Sequence, residues 1–540
     1  MKLNKLFFVI AAGLAFAACS DIDEIVPESG TMLATQVQET NLILPSRAEA
    51  SFAGMFTNIG LPIKMYTNPD DWEFLMINFC NDLEGADALI ADSGYNWFSV
   101  CGELSSRNAN YRNPYIRYRA PYNMIADVNT FIKSYPEDVS DPNAINMIAQ
   151  VKVLRAWSYL LLTTSYQFNY QIAGDKPSVP LVTESYPEDF TQNPRATVKE
   201  VYDQIIADLD YAVENLEGAS RKTKMYIDGN VAHGLRARAY LAMGEWAKAL
   251  ADAQAAASGY TPASLSDVSR PYFMDISEPC WIWGYDMTTE NAARYEYATT
   301  SSWLRSFSAN GYAPACQVYT CVNKMLWNKI PATDVRKGWW VDENLESPLI
   351  EGLEWPGLGD VANADDGGDT KAPFLPYTNV KFGCKSIGTI TNDEDMPLMR
   401  VEEMILIQAE CQARLGNTAD AINTLTNFVT TYRDPAYDVN GRGLSLLDEI
   451  WFQRRVELWG EGFYIYDMRR LNKPLVRFLG TDSSTNYATN FRFNMPADDP
   501  WGLLRFPQGE MDTNFAIVDN EGGNQPTIDQ NPNLRDGVTD

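Results

Sequence analysis

The sequence predicts a mainly α-helical protein, a tetratricopeptide-like helical-repeat scaffold that carries a large, irregular, loop-rich excursion. Apolar residues recur at helical spacing over long stretches. Two segments also show the helix–turn–helix spacing of small residues that helical repeats use for close packing. Between these segments, residues 260–395 are rich in Pro, Gly, Trp and Tyr, a composition typical of long loops.

The clearest single helix is TVKEVYDQIIADLDYAVENL, which begins after Thr197. Its apolar residues follow one another at intervals of three or four positions: Val201, Ile205, Leu209, Ala212 and Leu216. This spacing places them in one stripe along a helix. Thr197 and Glu200 have the spacing of a capping box, in which each side chain binds a free amide at the helix start.

Two segments predict pairs of packed helices. In VAHGLRARAYLAMGEWAKALADAQAAASGY the turn falls at Gly244, and in VEEMILIQAECQARLGNTADAINTLTNFV it falls at Gly416 and Asn417. The residues at the repeat positions are Tyr240, Ala249, Ala253 and Ala256 in the first pair, and Ala421, Leu425 and Phe428 in the second. We expect an earlier helix, INMIAQVKVLRAWSYLLLTTSY, to belong to the same scaffold.

The N-terminus has the pattern of a lipoprotein signal peptide. Lys2 and Lys5 precede an apolar run from Leu6 to Ala18, which is shorter than the roughly twenty residues that span a bilayer. Cys19 follows two alanines at the end of this run, so we predict cleavage before Cys19 and lipidation of its side chain. The alternative is an ordinary signal peptide with Cys19 incidental.

The predicted organisation follows from these segments. Residues 1–18 form the signal peptide, and the polar residues 19–40 form a flexible tether. Residues 41–540 form a single domain. Its parts are a helical scaffold over residues 41–259 and 396–475, the irregular insert 260–395, which is the expected ligand-binding region, and a closing segment 476–540.

Composition argues against several functions. A formal charge of −28 disfavours nucleic acid as a partner, because phosphate binding needs clustered Lys and Arg. The single histidine, His233, makes a zinc site or a histidine-based catalytic triad improbable, and no nucleotide-binding fingerprint occurs. The acidic loop with Asp365, Asp366 and Asp369 lacks the order of an EF-hand. We therefore expect no metal, no cofactor and no catalytic residues, although a carboxylate pair of a glycosidase stays open.

The aromatic residues point to a sugar-binding surface. Tryptophan and tyrosine rings offer apolar platforms to the CH-rich faces of sugars, and nearby polar side chains bind hydroxyls. Core packing is the competing interpretation and holds for most of these rings. The predicted ligand contacts are a loop platform, its polar partners and two rings of the insert: Tyr95 and Trp97; Asp82, Asn96 and Arg107; Trp303 and Trp327.

Two segments near the C-terminus, MRVEEMILIQAECQARLG and RRVELWGEGFYIYDMRRL, resemble the SusD/RagB family. The residues that match the family pattern in the second segment are Arg454, Glu457, Leu458, Glu461, Gly462, Asp467 and Arg470. Gln453 and Tyr464 depart from it. NDLEGADAL, LRAWSYLLLTTSYQFNYQIAGDKPSVPLV, VYDQIIADLDYAVENL and RFPQGEMDTN extend the resemblance over nearly the whole mature chain.

We interpret the matched residues as scaffold. Arg454 and Glu457, and likewise Asp467 and Arg470, are three positions apart, which predicts ion pairs within helices. Gly462 is expected at a turn or a close packing contact.

The resemblance implies a non-catalytic lipoprotein, anchored in the outer membrane and facing the cell exterior. Such a protein captures an oligosaccharide and delivers it to a SusC-like TonB-dependent transporter. The acids Asp21, Asp23 and Glu24 resemble the export signal of such lipoproteins. The alternatives are a peptide-binding relative, a surface glycoside hydrolase with an unrecognised carboxylate pair, and a scaffold that mediates only protein contacts.

Overall fold

The computed structural model describes residues 34–62, 64–65, 68, 70–90, 97–105, 107–185, 190–294, 299–306, 319–353, 374–385, 387, 391–480 and 484–534. The α-helices in these ranges are α1 (Ala34–Ile43), α2 (Pro45–Thr57), α3 (Glu73–Leu83), α4 (Ser99–Glu103), α5 (Arg112–Lys133), α6 (Pro142–Tyr166), α7 (Tyr170–Ala173), α8 (Val198–Leu216), α9 (Gly229–Met243), α10 (Trp246–Ala257), α11 (Thr289–Ala293), α12 (Thr300–Leu304), α13 (Lys324–Lys329), α14 (Val401–Arg414), α15 (Thr418–Tyr432), α16 (Leu446–Glu457), α17 (Tyr464–Arg470) and α18 (Gln508–Thr513). The strands are β1 (Ala88–Ile90), β2 (Pro177–Pro180), β3 (Arg195–Thr197), β4 (Trp281–Tyr285), β5 (Thr320–Val322), β6 (Met396–Arg400), β7 (Leu475–Val476) and β8 (Asn494–Met495). The predicted mainly α fold class is confirmed.

The long helices pack side by side in a continuous stack. Helix α5 packs on α6, α6 on α8, α8 on α9, α9 on α10, α10 on α14, and α14 on α15. The contact between α10 and α14 joins two helices that are far apart in the chain, so the residues between them leave the stack and return to it. Within the described ranges, no helix combines the length and the apolar character that crossing a bilayer requires.

The predicted turns and cap lie where the sequence placed them. Gly244 ends α9 with φ +81°, and Gly416 has φ +82° between α14 and α15; this left-handed conformation costs glycine little. At the start of α8, Thr197 and Glu200 form the capping box. Helix α1 covers the last residues of the predicted tether, whose first part lies outside the described residues. The wider division into tether, scaffold and insert stays a prediction.

Short antiparallel ribbons fasten the irregular residues to the helical stack. Strand β4 pairs with β6, with Trp281 opposite Arg400, directly before α14 begins. Strand β1 pairs with β5, with Ala88 opposite Val322 and Ile90 opposite Thr320. The insert is therefore held at its end by β6 and in its middle by β5.

A buried network of opposite charges joins the insert to the scaffold. Its cations are Arg336, Lys381, Arg400 and Arg433, and its carboxylates are Asp334, Glu402, Glu457 and Glu461. Burial opposes ionisation of Glu457, but Arg433, Arg400 and Arg336 hold its pKa well below its ordinary value. The pKa of Lys381 is lowered to about 8, chiefly by burial. Because each charge has a partner, the network avoids the cost of an unpaired buried ion.

One of the two predicted helical ion pairs is wrong. Arg454 binds Asp467 of α17, with its Nε donating at 2.9 Å and its Nη2 at 3.1 Å, and Glu457 binds Arg433 instead. Glu457 is the last residue of α16 and lies among arginines from other segments, whereas α17 folds back beside Arg454. The pair between Asp467 and Arg470 is confirmed, with a distance of 2.7 Å.

Gly462 allows both a turn and a close contact, as predicted. Its φ is +87°, and a Cβ atom built at this position would lie 2.6 Å from the Cβ of Asn78. The turn brings α17 against α3, where Asp82 accepts hydrogen bonds from the amides of Gly462 and Tyr464.

Candidate functional site

The β1–β5 ribbon separates two regions that carry predicted ligand contacts. Because the strands are antiparallel, the chain beyond Ile90 and the chain beyond Val322 leave the ribbon at opposite ends. Trp97 follows the first end and Trp327 follows the second. Trp97 is not among the residues that line the cavity beside Trp327.

At the first end, Trp97 is half-buried and has an arginine over its ring. The guanidinium carbon of Arg112 lies 5.1 Å from the ring centroid, a cation–π distance. Arg112 also donates from Nε to Oδ2 of Asp70 at 2.7 Å. Burial raises the pKa of Asp70 although Arg112 opposes that shift. We call Trp97, Arg112 and Asp70 the Trp97 platform.

Trp303 lies beneath this end of the ribbon and is 1% exposed. Its ring meets that of Phe98 edge to face, with 5.0 Å between the ring centroids. Thr320 donates from its hydroxyl to the carbonyl oxygen of Trp303 at 2.7 Å. Trp303 thus packs on Phe98, the residue that follows Trp97, and its burial does not favour direct contact with a ligand.

Asp82 and Arg107 are also buried. Asp82 accepts two backbone hydrogen bonds, from Gly462 at 2.8 Å and from Tyr464 at 3.2 Å, and burial raises its pKa to about 7. Arg107 donates from Nη2 to Glu84 at 3.0 Å, and Arg117 binds the same carboxylate. These contacts give both residues structural roles, so their proposed contact with a ligand stays a prediction without support from the geometry.

Three of the predicted site residues lie outside the described residues. They are Cys19, Tyr95 and Asn96. The acidic loop with Asp365, Asp366 and Asp369 also lies outside. In the part of the chain that the structure describes, no group of three His, Cys, Asp or Glu side chains is arranged to hold a metal ion.

At the second end of the ribbon, Trp327 lines a cavity of about 990 Å³. Its Nε1 donates to the carbonyl oxygen of Lys337 at 3.1 Å. The ammonium of Lys337 lies 3.4 Å from the ring centroid, and Tyr377 meets the ring edge to face at 5.4 Å. The remaining walls come from Ser269 and from residues between 332 and 353. We call this cavity the Trp327 cleft.

Sequence reasoning missed Arg112 and Asp70 of the platform and every wall of the cleft except Trp327. Arg112 is fifteen positions from Trp97, and only the folding of the chain, which packs α5 on α3, brings the two together. The cleft walls lie in loops that carry no periodic signal. Their one sequence signal is composition, since the segment ESPLIEGL, which begins at Glu346, is largely apolar and includes two acids.

Comparison with known proteins identifies the family. The sequence profile of the SusD family matches residues 354–533, and that of a family described as starch-binding and associating with the outer membrane matches residues 49–241. Together the two matches cover more than half of the chain. The chain belongs to the SusD family. A SusD-like protein of Bacteroides ovatus is 25% identical, with 73% of this chain and 71% of the relative aligned.

Solved structures share the SusD-type fold. A SusD-like carbohydrate binding protein from Bacteroides vulgatus superposes with a TM-score of 0.69 at 22% identity, over 88% of this chain and 97% of that one. The surface glycan-binding protein A of Bacteroides thetaiotaomicron, solved with laminarihexaose, gives 0.62 at 15% identity, over 88% and 99%. At these identities the likeness concerns the fold.

Proposed function

We propose that this protein is a surface-exposed, glycan-binding lipoprotein that captures oligosaccharides and delivers them to a SusC-like TonB-dependent transporter in the outer membrane. The observation that carries the proposal is membership of the SusD family, whose profiles match both the N-terminal and the C-terminal part of the chain. The descriptions of two structural neighbours support it, one as a carbohydrate binding protein and the other as a glycan-binding protein in complex with laminarihexaose.

The Trp97 platform is the proposed binding site. A half-buried indole ring presents a flat apolar surface, which suits the CH-rich face of a sugar. Arg112 and Asp70 hold the ring from one side, so little conformational freedom is lost when a ligand stacks on it. Tyr95 and Asn96 precede Trp97 in the chain and remain proposed partners in the same contact.

Lipidation of Cys19 is the proposed means of membrane attachment. Each methylene buried in the bilayer contributes about 0.8 kcal/mol, so two or more acyl chains hold a protein firmly. The acids Asp21, Asp23 and Glu24 are proposed to direct it to the outer face. Protease added to intact cells is then expected to digest the protein, and complete protection would place it on another face.

Capture without catalysis is the expected activity. Full-length lipoprotein in detergent should bind at least one oligosaccharide of a broad panel in calorimetry, beginning with laminarihexaose, and release no reducing sugar. Sugar release would instead support a glycoside hydrolase, and binding confined to a parallel peptide panel would support a peptide-uptake relative. Isolation of a TonB-dependent transporter together with the lipoprotein from solubilised membranes tests delivery.

Trp97→Ala tests the site. The scaffold offers a matched control in Trp246, which is also half-buried with an arginine, Arg414, 5.0 Å from its ring centroid. We expect Trp97→Ala to weaken glycan binding at least tenfold, because stacked aromatic anchors contribute about 1.4 kcal/mol or more. Trp246→Ala should leave it unchanged. Equal affinity for both variants would remove Trp97 from the site.

A further inference from the structure

The Trp327 cleft combines an apolar floor with a carboxylate rim. Leu345 and Leu349 line it together with the Trp327 ring, while Glu346 and Glu351 stand at its edge with exposed side chains. Its volume of about 990 Å³ lies at the upper end of the range of small-molecule sites, about 300–1,000 Å³. The cleft can therefore hold a ligand of several sugar units.

The negative charge of this rim is not neutralised by the described residues. Neither Glu346 nor Glu351 forms an ion pair with any of them. Lys337 is the basic residue of the lining, but its ammonium already donates to the carbonyl oxygen of Trp327 and lies over the indole ring. Burial also lowers the pKa of Lys337 to about 8, which weakens its charge in mildly alkaline solution.

The lining also contains a hydrogen-bond donor without an acceptor. Trp340 is 1% exposed, and its Nε1 has no partner among the described residues. A buried donor left without a partner costs free energy. Because this Nε1 is itself covered by protein atoms, the open surface of the cleft is formed by the apolar floor and the carboxylate rim.

Resting on the proposed function, we propose that the Trp327 cleft is a second oligosaccharide site that takes neutral glycans and excludes sulfated and uronic acid-containing ones. Hydroxyl groups of a neutral sugar donate to carboxylates, and CH faces pack on aliphatic and aromatic side chains. Sulfate and carboxylate groups can make no such donation and are repelled by Glu346 and Glu351. The cleft residues between 327 and 353 lie outside both family-profile matches, so the site belongs to the part of the chain that the profiles do not describe.

A blocking variant tests the location. Ala332 is exposed and lines the cleft, so Ala332→Trp places an indole in its opening without disturbing the core; Ala251→Trp on the exposed face of α10 is the control. The probe is the neutral hexaose that full-length wild-type protein binds most tightly among glucose, mannose, xylose and galactose oligomers. We expect two binding events for the wild type, one for Ala332→Trp and two for Ala251→Trp. Two undiminished events for Ala332→Trp would overturn the proposal.

A charge variant tests the selectivity. Glu346→Gln with Glu351→Gln is compared with Glu214→Gln and Glu217→Gln, two exposed acids at the end of α8. At low salt, hexagalacturonate should bind the cleft variant about tenfold more tightly than the wild type, and the control pair should show no gain. Tighter wild-type binding of hexagalacturonate than of every neutral hexaose would overturn the proposal.

The two proposals fail in different ways. Loss of one binding event in Ala332→Trp, with none lost in Trp97→Ala, would uphold the cleft and remove the platform. Loss of every event in Trp97→Ala, with both kept in Ala332→Trp, would uphold the proposed function and remove the cleft. Absence of binding to every glycan tested would overturn both.

Discussion

Arg112 lies over the ring of Trp97, with 5.1 Å between the guanidinium carbon and the ring centroid. The buried carboxylate of Asp70 accepts a hydrogen bond from Nε of that guanidinium at 2.7 Å and so fixes its position. The ring is thus held by a cation that is itself held by a carboxylate. This arrangement makes Arg112 a positioning residue for the proposed ligand contact of Trp97.

Arg112→Ala is expected to weaken glycan binding about two- to fivefold, because a cation–π contact of this kind contributes about 0.5–1 kcal/mol. The loss should be smaller than that of Trp97→Ala, and Arg112→Ala combined with Trp97→Ala should bind no worse than Trp97→Ala alone. Calorimetry with the tightest glycan of the panel measures all three. Arg119→Ala, an exposed position on the same helix, is the control, and an equal loss there would contradict the positioning role.

A second prediction concerns the ion pair that joins the ribbon to the scaffold. Arg455 of α16 donates to Asp87, next to β1, through Nε at 2.8 Å and Nη2 at 2.6 Å. Both side chains are 5% exposed, so Asp87→Ala leaves a buried charge without this partner. We expect the free energy of unfolding to fall by about 3–5 kcal/mol in urea titrations.

Two comparisons test this interpretation. Asp87→Ala with Arg455→Met should recover part of the loss, because the buried charge that Asp87 had paired is then also removed. Glu245→Ala removes an exposed pair with Lys248 and should lower the free energy of unfolding far less than Asp87→Ala does. An equal cost for Asp87→Ala and Glu245→Ala would show that burial of the pair has no energetic effect.

Local features of this fold were predictable and distant ones were not. The capping box of Thr197 and the turns at Gly244 and Gly462 depend on residues within a few positions, so their spacing encodes them. Arg454 shows the limit. Glu457 is only three positions away in the sequence, but in the folded chain Arg454 binds Asp467 instead.

The candidate site was less predictable for the same reason. Asp82 and Arg107 are polar residues near an aromatic loop in sequence, a pattern that suits either an exposed site or a buried hydrogen-bond network. The packing of α3 against the turn at Gly462 decides in favour of burial for Asp82. Arg112 reaches Trp97 through the packing of α5, which no spacing along the chain reports.

A third prediction separates backbone strain from crowding at glycine. Gly462 and Gly416 share a left-handed backbone, but a Cβ would meet Asn78 at 2.6 Å only in the first case and would have open space in the second. Gly416→Ala should cost about 1 kcal/mol for conformation alone. Gly462→Ala should cost about 2–4 kcal/mol, because crowding of a packed core is added. Thermal and urea unfolding measure the difference, and equal costs would mean that Asn78 moves aside freely.

A fourth prediction concerns the pH dependence of stability. Burial raises the pKa of Glu73 from 4.5 to about 8, with smaller contributions from Asp71 and Asp127, and its Oε1 has no partner among the described residues. Between these two pKa values the folded state binds more protons than the unfolded state, so the free energy of unfolding falls as the pH rises.

Glu73→Gln removes this dependence. The variant should match the wild type at pH 4 and be more stable by about 2–4 kcal/mol at pH 8 in urea titrations. Glu214→Gln, an exposed control, should show no such divergence. A stability difference between Glu73→Gln and the wild type that is the same at pH 4 and pH 8 would mean that the pKa of Glu73 is the same in the folded and unfolded states.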